Sequence, residues 1–277
     1  MKVTEIWRYP VKSMAGEQLT ETWIGEDGLP GDRAFAVRQN DNTRNAKKFP
    51  QLMQMRAYYP SNPEPGKVPV PLVSLAGEPG VPADDPAIAA RISKLVGADI
   101  SLEGLAPKDD LAFYERKEKR TVEESRAIYG LTEDEPFPDV SKMPARVAQF
   151  ATPPGTFFDC FPLLVMTTAS LKALAAAAPD SVIDVRRFRP NILIDTDETG
   201  FVEQDWVGKT LQIGATLISC EIPCPRCVMT TIGFHDLPRD TSIMRTLVRE
   251  CGHELGIYAE VKTPGQLRLG DEVVVLG

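Results

Sequence analysis

The chain has 277 residues and a formal net charge of −8 at neutral pH, from 39 acidic residues against 31 lysines and arginines. This acidic balance argues against nucleic acid as the main partner, because phosphate backbones attract proteins with surplus Lys and Arg. A chain of this length forms one large domain or two closely packed ones, and its core is large enough to need no disulfide bonds.

The N-terminal residues, Met1 to Trp7, are not followed by the apolar segment that a secretory signal peptide contains. The most apolar stretch, residues 161–178, includes Lys172 and is too short and too polar to span a bilayer. We therefore expect a cytoplasmic protein that has no membrane partner.

The first part of the chain alternates between short strands and turns. Residues 60–86 are rich in proline, which removes backbone donors and excludes long strand ladders there. A short helix is predicted over residues 86–96, with Asp84 or Asp85 as its cap and Pro86 in its first turn. Strands are predicted over residues 3–8, 18–24, 33–38, 72–75 and 99–103.

The second part begins with the charged segment, residues 107–145, in which a solvated helix is predicted over residues 115–129. We interpret this segment as a mobile lid or a surface excursion. Beyond it, helices are predicted over residues 170–178 and 242–251. Strands are predicted over residues 163–166, 191–194, 209–213, 216–222 and 267–276.

The predicted strands are too short and too unevenly spaced for a regular βαβ repeat, and the sequence has no internal repeat. We therefore predict a mixed α/β, strand-dominated fold. An antiparallel β-barrel with peripheral helices follows an N-terminal β-rich module in this prediction.

Five cysteines and no signal peptide indicate free thiols rather than a disulfide framework. Three of them, Cys220, Cys224 and Cys227, lie within eight residues. Their Cys-x3-Cys-x2-Cys spacing matches the iron–sulfur motif of radical enzymes that use S-adenosylmethionine. Those motifs precede a long βα barrel, whereas this one lies near the end of the chain. Cys220 alternates with Ile218 and Ile222, which indicates a small buried residue.

A zinc site is a second interpretation of the same cluster. Cys224 and Cys227 form half of such a site, and Cys251 or His253 would supply the rest.

A single reactive thiolate is a third interpretation. Pro223 and Pro225 are expected to end the strand, so that residues 224–227 form a turn beyond the sheet edge. Arg226 adjoins Cys227, and a fixed positive charge favours the thiolate, which is the form that binds metals. Soft sulfur suits a soft, high-valent metal that also carries sulfur ligands.

Three basic residues, Lys12, Arg33 and Arg189, lie at turns instead of on solvated helix faces. In an acidic protein they indicate a pocket for an anionic ligand, because Arg offers a planar fork to phosphate and Lys a point charge. Further hydroxyl donors are available from Ser13, Thr167, Thr168 and Ser170.

A set of motifs spanning nearly the whole chain resembles the MOSC-domain family. Residues 9–13 and 28–33 resemble its N-terminal β-barrel module, and residues 224–231 resemble its metal-binding turn. Four further segments resemble parts of the MOSC domain itself: residues 159–162, 168–171, 188–192 and 269–273. We assign residues 1–118 to the N-terminal module and residues 119–277 to the MOSC domain. Within the family, the resemblance is to the amidoxime-reducing components.

This resemblance implies a molybdenum cofactor (molybdopterin), with Cys227 as both metal ligand and catalytic residue. It also implies a set of residues around the pterin and its phosphate: Lys12, Ser13, Arg33, Thr167, Ser170, Arg189, Asn191 and Arg226.

The implied reaction is two-electron reduction of N-hydroxylated compounds, such as amidoximes, hydroxylamines and N-hydroxylated bases. Electrons would come from a separate ferredoxin or cytochrome b5-like protein with its reductase. Relatives often carry Asp-Pro-x-Thr-Gly after the metal turn, where this chain has residues 232–238.

Two other functions remain open at this point: a carrier of persulfide sulfur for cofactor sulfuration, and a zinc-stabilised binding module.

Overall fold

The computed structural model describes residues 1–75 and 77–277. Three short 3-10 helices lie at Pro50–Gln54, Val202–Trp206 and Val228–Thr231. In chain order the strands are β1 (Lys2–Arg8), β2 (Glu17–Leu19), β3 (Glu21–Ile24), β4 (Phe35–Gln39), β5 (Asn42–Thr43), β6 (Met55–Tyr58), β7 (Leu72–Leu75), β8 (Val81–Pro82), β9 (Ser101–Gly104), β10 (Leu163–Thr167), β11 (Ile192–Asp195), β12 (Thr210–Ile213), β13 (Thr216–Pro225), β14 (Glu254–Thr263), β15 (Gly265–Arg268) and β16 (Val273–Leu276). The α-helices are α1 (Pro86–Val96), α2 (Leu111–Tyr114), α3 (Val122–Tyr129), α4 (Arg146–Gln149), α5 (Thr168–Ala177), α6 (Val185–Phe188) and α7 (Ser242–Cys251).

Eight strands form the large sheet, in the order β16-β12-β13-β14-β10-β11-β1-β2. Neighbours pair antiparallel except β10 and β11, which run parallel. Near its two ends, Val3 N donates to Asp271 O at 2.9 Å and Val273 N donates to Met1 O at 2.9 Å. The sheet therefore closes on itself around a buried apolar core. The predicted strand-dominated, mainly antiparallel fold is confirmed.

A second core lies in the N-terminal half. Two three-stranded sheets, β5-β4-β9 and β6-β7-β8, contribute to it together with α1. The predicted helix over residues 86–96 is confirmed, with Asp85 as its cap. The Asp85 carboxylate accepts a hydrogen bond from Ala87 N at 2.8 Å, which satisfies an amide that the helix leaves unpaired.

The N-terminal half also contributes β1 and β2 to the large sheet, and its β3 pairs with β15 in a separate two-stranded sheet. The strand predicted over residues 18–24 is therefore two strands, and the chain changes partner at Thr20. The strand predicted over residues 267–276 also divides, at a turn where Gly270 has φ of 85°. Polar residues at positions 20–22 and 270–272 interrupt the alternation at both breaks, and the predicted strands extend across them.

The charged segment contains less helix than the sequence predicts. Instead of residues 115–129, α3 begins at Val122, because Thr121 and Glu124 form a capping box there. Thr121 Oγ1 accepts from Glu124 N at 3.1 Å, and the Glu124 carboxylate accepts from Thr121 N at 2.9 Å. Glu115, at the start of the predicted helix, is extended and forms a β-bridge with Phe150.

The two helices predicted over residues 170–178 and 242–251 are present as α5 and α7, and they pack against each other. Their apolar faces share a buried cluster with Met166 and Phe188. None of the helices in the described residues is long and apolar enough to cross a membrane.

Candidate functional site

A cavity of about 190 Å³ is lined by residues from several separate turns. Seven of the nine predicted site residues contribute to its wall. They are Lys12, Ser13, Arg33, Arg189, Asn191, Arg226 and Cys227. Closure of the large sheet, with β1 beside β11 and β13 beside β14, brings these turns together although they are far apart in sequence.

The cavity wall is strongly cationic. Among the described residues that line it, Asp159 is the one acidic side chain, against eight basic ones. These are Lys12, Arg33, Lys47, Arg116, Arg120, Arg187, Arg189 and Arg226. Such a concentration of positive charge in an acidic chain is typical of a site for a multiply charged anion.

Arg33 and Arg189 both lie against the ring of Tyr9. Their guanidinium carbons are 5.0 and 4.2 Å from its centroid, respectively. Asp32 forms an ion pair with Arg33 and accepts a hydrogen bond from Tyr9 N at 2.7 Å. The aromatic ring and the carboxylate therefore hold the two guanidinium groups in fixed positions.

Asn191 lines the cavity, but its amide is already engaged. Its Nδ2 donates to Asp32 Oδ2 at 2.9 Å, and its Oδ1 accepts from Leu164 N at 3.1 Å. This side chain therefore positions Asp32, and through it Arg33.

Arg189 has a buried donor without an acceptor. Its Nη1 donates to Met14 O at 2.6 Å, whereas its Nη2 is buried with no hydrogen-bond partner. Burial lowers the pKa of Arg189 to about 10, so the guanidinium still carries its charge at neutral pH. A charged, unpaired donor in a cavity wall fits an anionic group bound there, because leaving it unpaired is costly.

Three predicted site residues adopt the left-handed backbone conformation. Ser13, Arg33 and Arg189 have φ of 70°, 50° and 57°. For L-residues other than glycine this conformation costs about 1–2 kcal/mol each. Strain of this kind is concentrated at functional sites, where surrounding contacts impose the geometry.

Lys12 and Asp159 form a pair in the cavity wall. Lys12 Nζ donates to Asp159 Oδ1 at 2.9 Å and to Phe157 O at 2.7 Å. Burial acts to raise the pKa of Asp159, but the charges of Lys12, Lys47 and Arg33 outweigh it and hold that pKa well below its usual range. Asp159 is therefore ionised throughout the neutral range.

The two neighbouring cysteines differ in their surroundings. Cys224 is buried, and Arg226 Nη1 donates to its sulfur at 3.0 Å. Cys227 is partly exposed in the cavity wall. The direct contact of Arg226 is therefore with Cys224, and not with Cys227, its neighbour in the sequence. Residues two apart on an extended chain share a side, which places Arg226 with Cys224.

The strand does not end at Pro223 as predicted, but it does end at Pro225. The strand β13 continues to Pro225, and its register with β14 shifts between the two prolines. An irregularity of this kind accommodates residues that have no amide hydrogen to donate.

The remaining thiols are poor candidates for a metal ligand. Burial raises the pKa values of Cys160, Cys220 and Cys251 to about 12, and burial also raises the pKa of Cys224. These four side chains are therefore protonated at neutral pH, and only deprotonated sulfur binds metals well. Cys227 remains as the partly exposed cysteine of the cavity.

Arg187 fixes the chain that follows Cys227. It is almost fully buried, and its guanidinium donates to Thr230 O, Ile232 O and Pro238 O at 3.3, 3.2 and 2.7 Å. This side chain therefore holds residues 230–238 in place.

Thr167 and Ser170 are not brought to the cavity. Both are fully buried, and both hydroxyls donate to Glu203 Oε2, from Thr167 at 2.8 Å. Thr167 is also the cap of α5 and accepts from Ser170 N at 3.1 Å. The hydroxyl side chains that suggested ligand donors in the sequence therefore mark the start of a helix, and we do not propose them as cofactor contacts.

Glu203 provides a test of this buried cluster by pH. Burial raises the pKa of Glu203 above its ordinary value of 4.5. The folded state therefore binds the proton more tightly than the unfolded chain, and stability falls as pH rises above about 4.5 towards the folded pKa. We expect Glu203→Gln to remove this fall. In urea unfolding from pH 4 to 8, the stability of the variant relative to the native chain should increase with pH, and a constant difference would contradict the prediction.

The zinc interpretation lacks ligands in this structure. Within residues 1–75 and 77–277 there is no group of three or more His, Cys, Asp or Glu side chains that could hold a metal ion. Cys224 is engaged by Arg226, and His253 lies against the ring of Tyr129 at 6.2 Å between centroids.

Several cavity residues were missed by sequence reasoning. Lys47, Tyr129 and Tyr258 line the cavity, as do Arg116 and Arg120 from the charged segment. The Arg-x3-Arg spacing was the available signal, but it is equally typical of a solvated helix face.

Comparison with known proteins identifies the family of the chain. The family models described as "MOSC domain" and "MOSC N-terminal beta barrel domain" match residues 153–274 and 1–81. The human protein named mitochondrial amidoxime reducing component 2 is 30% identical over 98% of this chain and 82% of its own length. The chain belongs to the MOSC-domain family. This confirms the resemblance found in the sequence motifs.

Other proteins are similar to the chain over different lengths. The amidoxime reducing component 2 of Macaca fascicularis is 29% identical over 98% of this chain and 82% of its own. A molybdenum cofactor sulfurase of Drosophila grimshawi is 33% identical, over 41% of this chain and 15% of its own. Among solved structures, the YUAD protein of Bacillus subtilis matches with a TM-score of 0.47 and 11% identity, over 99% of this chain and 94% of that one.

Proposed function

We propose that this MOSC protein is a molybdenum-cofactor-dependent reductase of N-hydroxylated compounds. The observation that carries the proposal is the presence of one partly exposed cysteine, Cys227, and of the buried Arg189, whose Nη2 has no acceptor among the described residues, in a single cationic cavity. A molybdopterin needs both features, because it presents a soft metal at one end and a phosphate at the other.

The residues of this chain would divide the work of binding between them. Arg189, Arg33 and Lys12 would hold the phosphate, with Ser13 as a further donor. Cys227 would be the protein ligand of the metal. When bound, the cofactor would supply the two-electron redox chemistry. Asp32, Asn191 and Tyr9 would act indirectly, by orienting the two arginines.

The reaction has a defined balance. A substrate R–NH–OH takes up two electrons and two protons, its N–O bond breaks, and R–NH2 and water are released. The electrons must come from outside the chain, and we propose a ferredoxin or cytochrome b5-like protein with its reductase as their source.

The electron source gives a direct test of the proposal. We expect the purified holoprotein to leave benzamidoxime unchanged with NADH alone, and to reduce it when a reduced viologen supplies electrons. Product formation is measured by chromatography, with protein lacking cofactor as the control. Robust reduction driven by NADH without a carrier would contradict the proposal.

A persulfide carrier is the second candidate, and the similarity to the sulfurase of Drosophila grimshawi favours it. Cys227 would then bear the transferable sulfur. Mass spectrometry after incubation with a persulfide donor distinguishes the two: stable modification of Cys227 in cofactor-free protein, with no reductase activity in the holoprotein, favours the carrier.

A further inference from the structure

A second groove, of about 360 Å³, opens beside the cavity. Lys47, Arg116 and Arg120 line both spaces, as does Ile128. Val228, the residue after Cys227, lines the groove as well. A molecule bound in the groove therefore reaches the neighbourhood of the reactive cysteine.

The groove carries a surplus of positive charge. Its described lining has two carboxylates, Glu118 and Glu124, and six basic residues, Arg44, Lys47, Lys48, Arg116, Lys119 and Arg120. Glu118 neutralises Arg44 through two hydrogen bonds of 2.7 Å. Arg44 Nε is nevertheless buried with no hydrogen-bond acceptor among the described residues. The Glu124 carboxylate accepts a hydrogen bond from Thr121 N.

Arg116 and Arg120 are adjacent cations. Among the described residues, neither forms an ion pair, nor does Lys47. Arg116 is held in place by hydrogen bonds from Nη2 to Val147 O and Phe150 O, both at 3.1 Å. Burial lowers the pKa of Arg116, and the nearby charge of Arg120 lowers it further. Neighbouring cations that have no carboxylate between them are stabilised when an anion binds, and Arg116 is already held in position for one.

We propose that this groove binds a phosphate group of the substrate, so that the enzyme acts on phosphorylated N-hydroxylated compounds. The inference rests on the proposed reductase function and names its substrate class. A phosphate dianion matches the surplus positive charge of the groove better than a carboxylate does, because a single arginine is enough to pair with a carboxylate. The phosphate takes no part in the chemistry: the N–O bond is reduced as above, and the phosphate ester leaves intact.

Equilibrium binding tests the groove without relying on turnover. The holoprotein is titrated calorimetrically with cytidine and with cytidine 5′-monophosphate. We expect the monophosphate to bind at least about tenfold more tightly, as the gain of a charged hydrogen bond would give. The double variant Lys48→Glu with Lys119→Glu should remove this advantage, because both lysines line the groove and neither lines the cavity. Lys94→Glu with Lys172→Glu, on exposed sites elsewhere, is the matched control.

Kinetics with a viologen donor complete the test. For N4-hydroxycytidine 5′-monophosphate, the groove variant should raise KM about tenfold and leave kcat unchanged. For N4-hydroxycytidine itself, neither constant should change. Equal binding of cytidine and its monophosphate, or an unchanged monophosphate affinity in the groove variant, would overturn the inference. The inference would also be overturned if the groove variant lost activity only when a protein supplies the electrons, since the groove would then be the docking surface for that electron donor.

The two proposals fail in different ways. If the holoprotein reduces neither hydroxylated compound, the reductase proposal is wrong, whereas the binding titration still decides whether the groove takes phosphate. If both compounds are reduced with the same KM, the reductase proposal stands and the phosphate site is wrong.

Discussion

We expect Cys227→Ser to abolish reductase activity and Cys224→Ser to retain most of it. Serine oxygen is a harder ligand than thiolate and a poor match for molybdenum, so the Cys227 variant loses the metal's protein ligand. At position 224 the sulfur is buried and accepts a hydrogen bond from Arg226. A serine hydroxyl can accept the same bond, so the loss there should be small.

Viologen-driven reductase assays, corrected for pterin content, measure this difference. Cys251→Ser is a suitable control, because Cys251 lies outside the cavity and bonds Leu247 O within α7. Equal losses in the Cys224 and Cys227 variants would indicate that both sulfurs are needed. Loss of activity in Cys224→Ser alone would mean that Cys224, and not Cys227, is the metal ligand.

Arg189→Ala should lower cofactor occupancy more than any other single change to the anion-binding wall. Its unpaired Nη2 is the donor that a bound phosphate would satisfy. Losing a charged hydrogen-bond partner typically costs about 1.5–3 kcal/mol, or a factor of ten or more in affinity. Arg33→Ala should also reduce occupancy, and in addition leaves the Asp32 carboxylate without its ion pair.

Pterin content after purification, measured by fluorescence of the oxidised pterin, is the readout. Circular dichroism checks that the variants are folded. Arg249→Ala is the matched control, because this arginine is exposed on α7 and lies outside the cavity. If the Arg189 and Arg33 variants keep as much pterin as the control, the phosphate lies elsewhere.

Local patterns predict much of the fold. The helix over residues 86–96 follows from an aspartate cap and a proline in its first turn, and α7 from its amphipathic sequence. The pairing of strands cannot be predicted from local patterns, because it depends on contacts across the whole chain. The change of partner at Thr20 coincides with three consecutive polar residues, but such a run does not say which strand each side will pair with. The proposed boundary at residue 118 stays a prediction for a related reason: β1 and β3 pair with strands of the C-terminal half.

The candidate site could be predicted where residue type and turn position agree. Lys12, Arg33 and Arg189 are basic residues at turns, and the structure brings all three to one cavity. Hydroxyl residues were less informative, since a threonine at a helix start serves as a cap as readily as a ligand contact; Thr167 is such a cap. Arg116 and Arg120 were not predicted, because charge in a long segment is normally solvated.

The central claim is that the cavity holds a molybdenum cofactor, and the metal and pterin content of the purified protein tests it most directly. The chain is produced in a host that synthesises the cofactor, and molybdenum, zinc and pterin are measured on the same sample. We expect molybdenum and pterin in matching, near-stoichiometric amounts, with both reduced together in Arg189→Ala. Stoichiometric zinc with neither molybdenum nor pterin would contradict it.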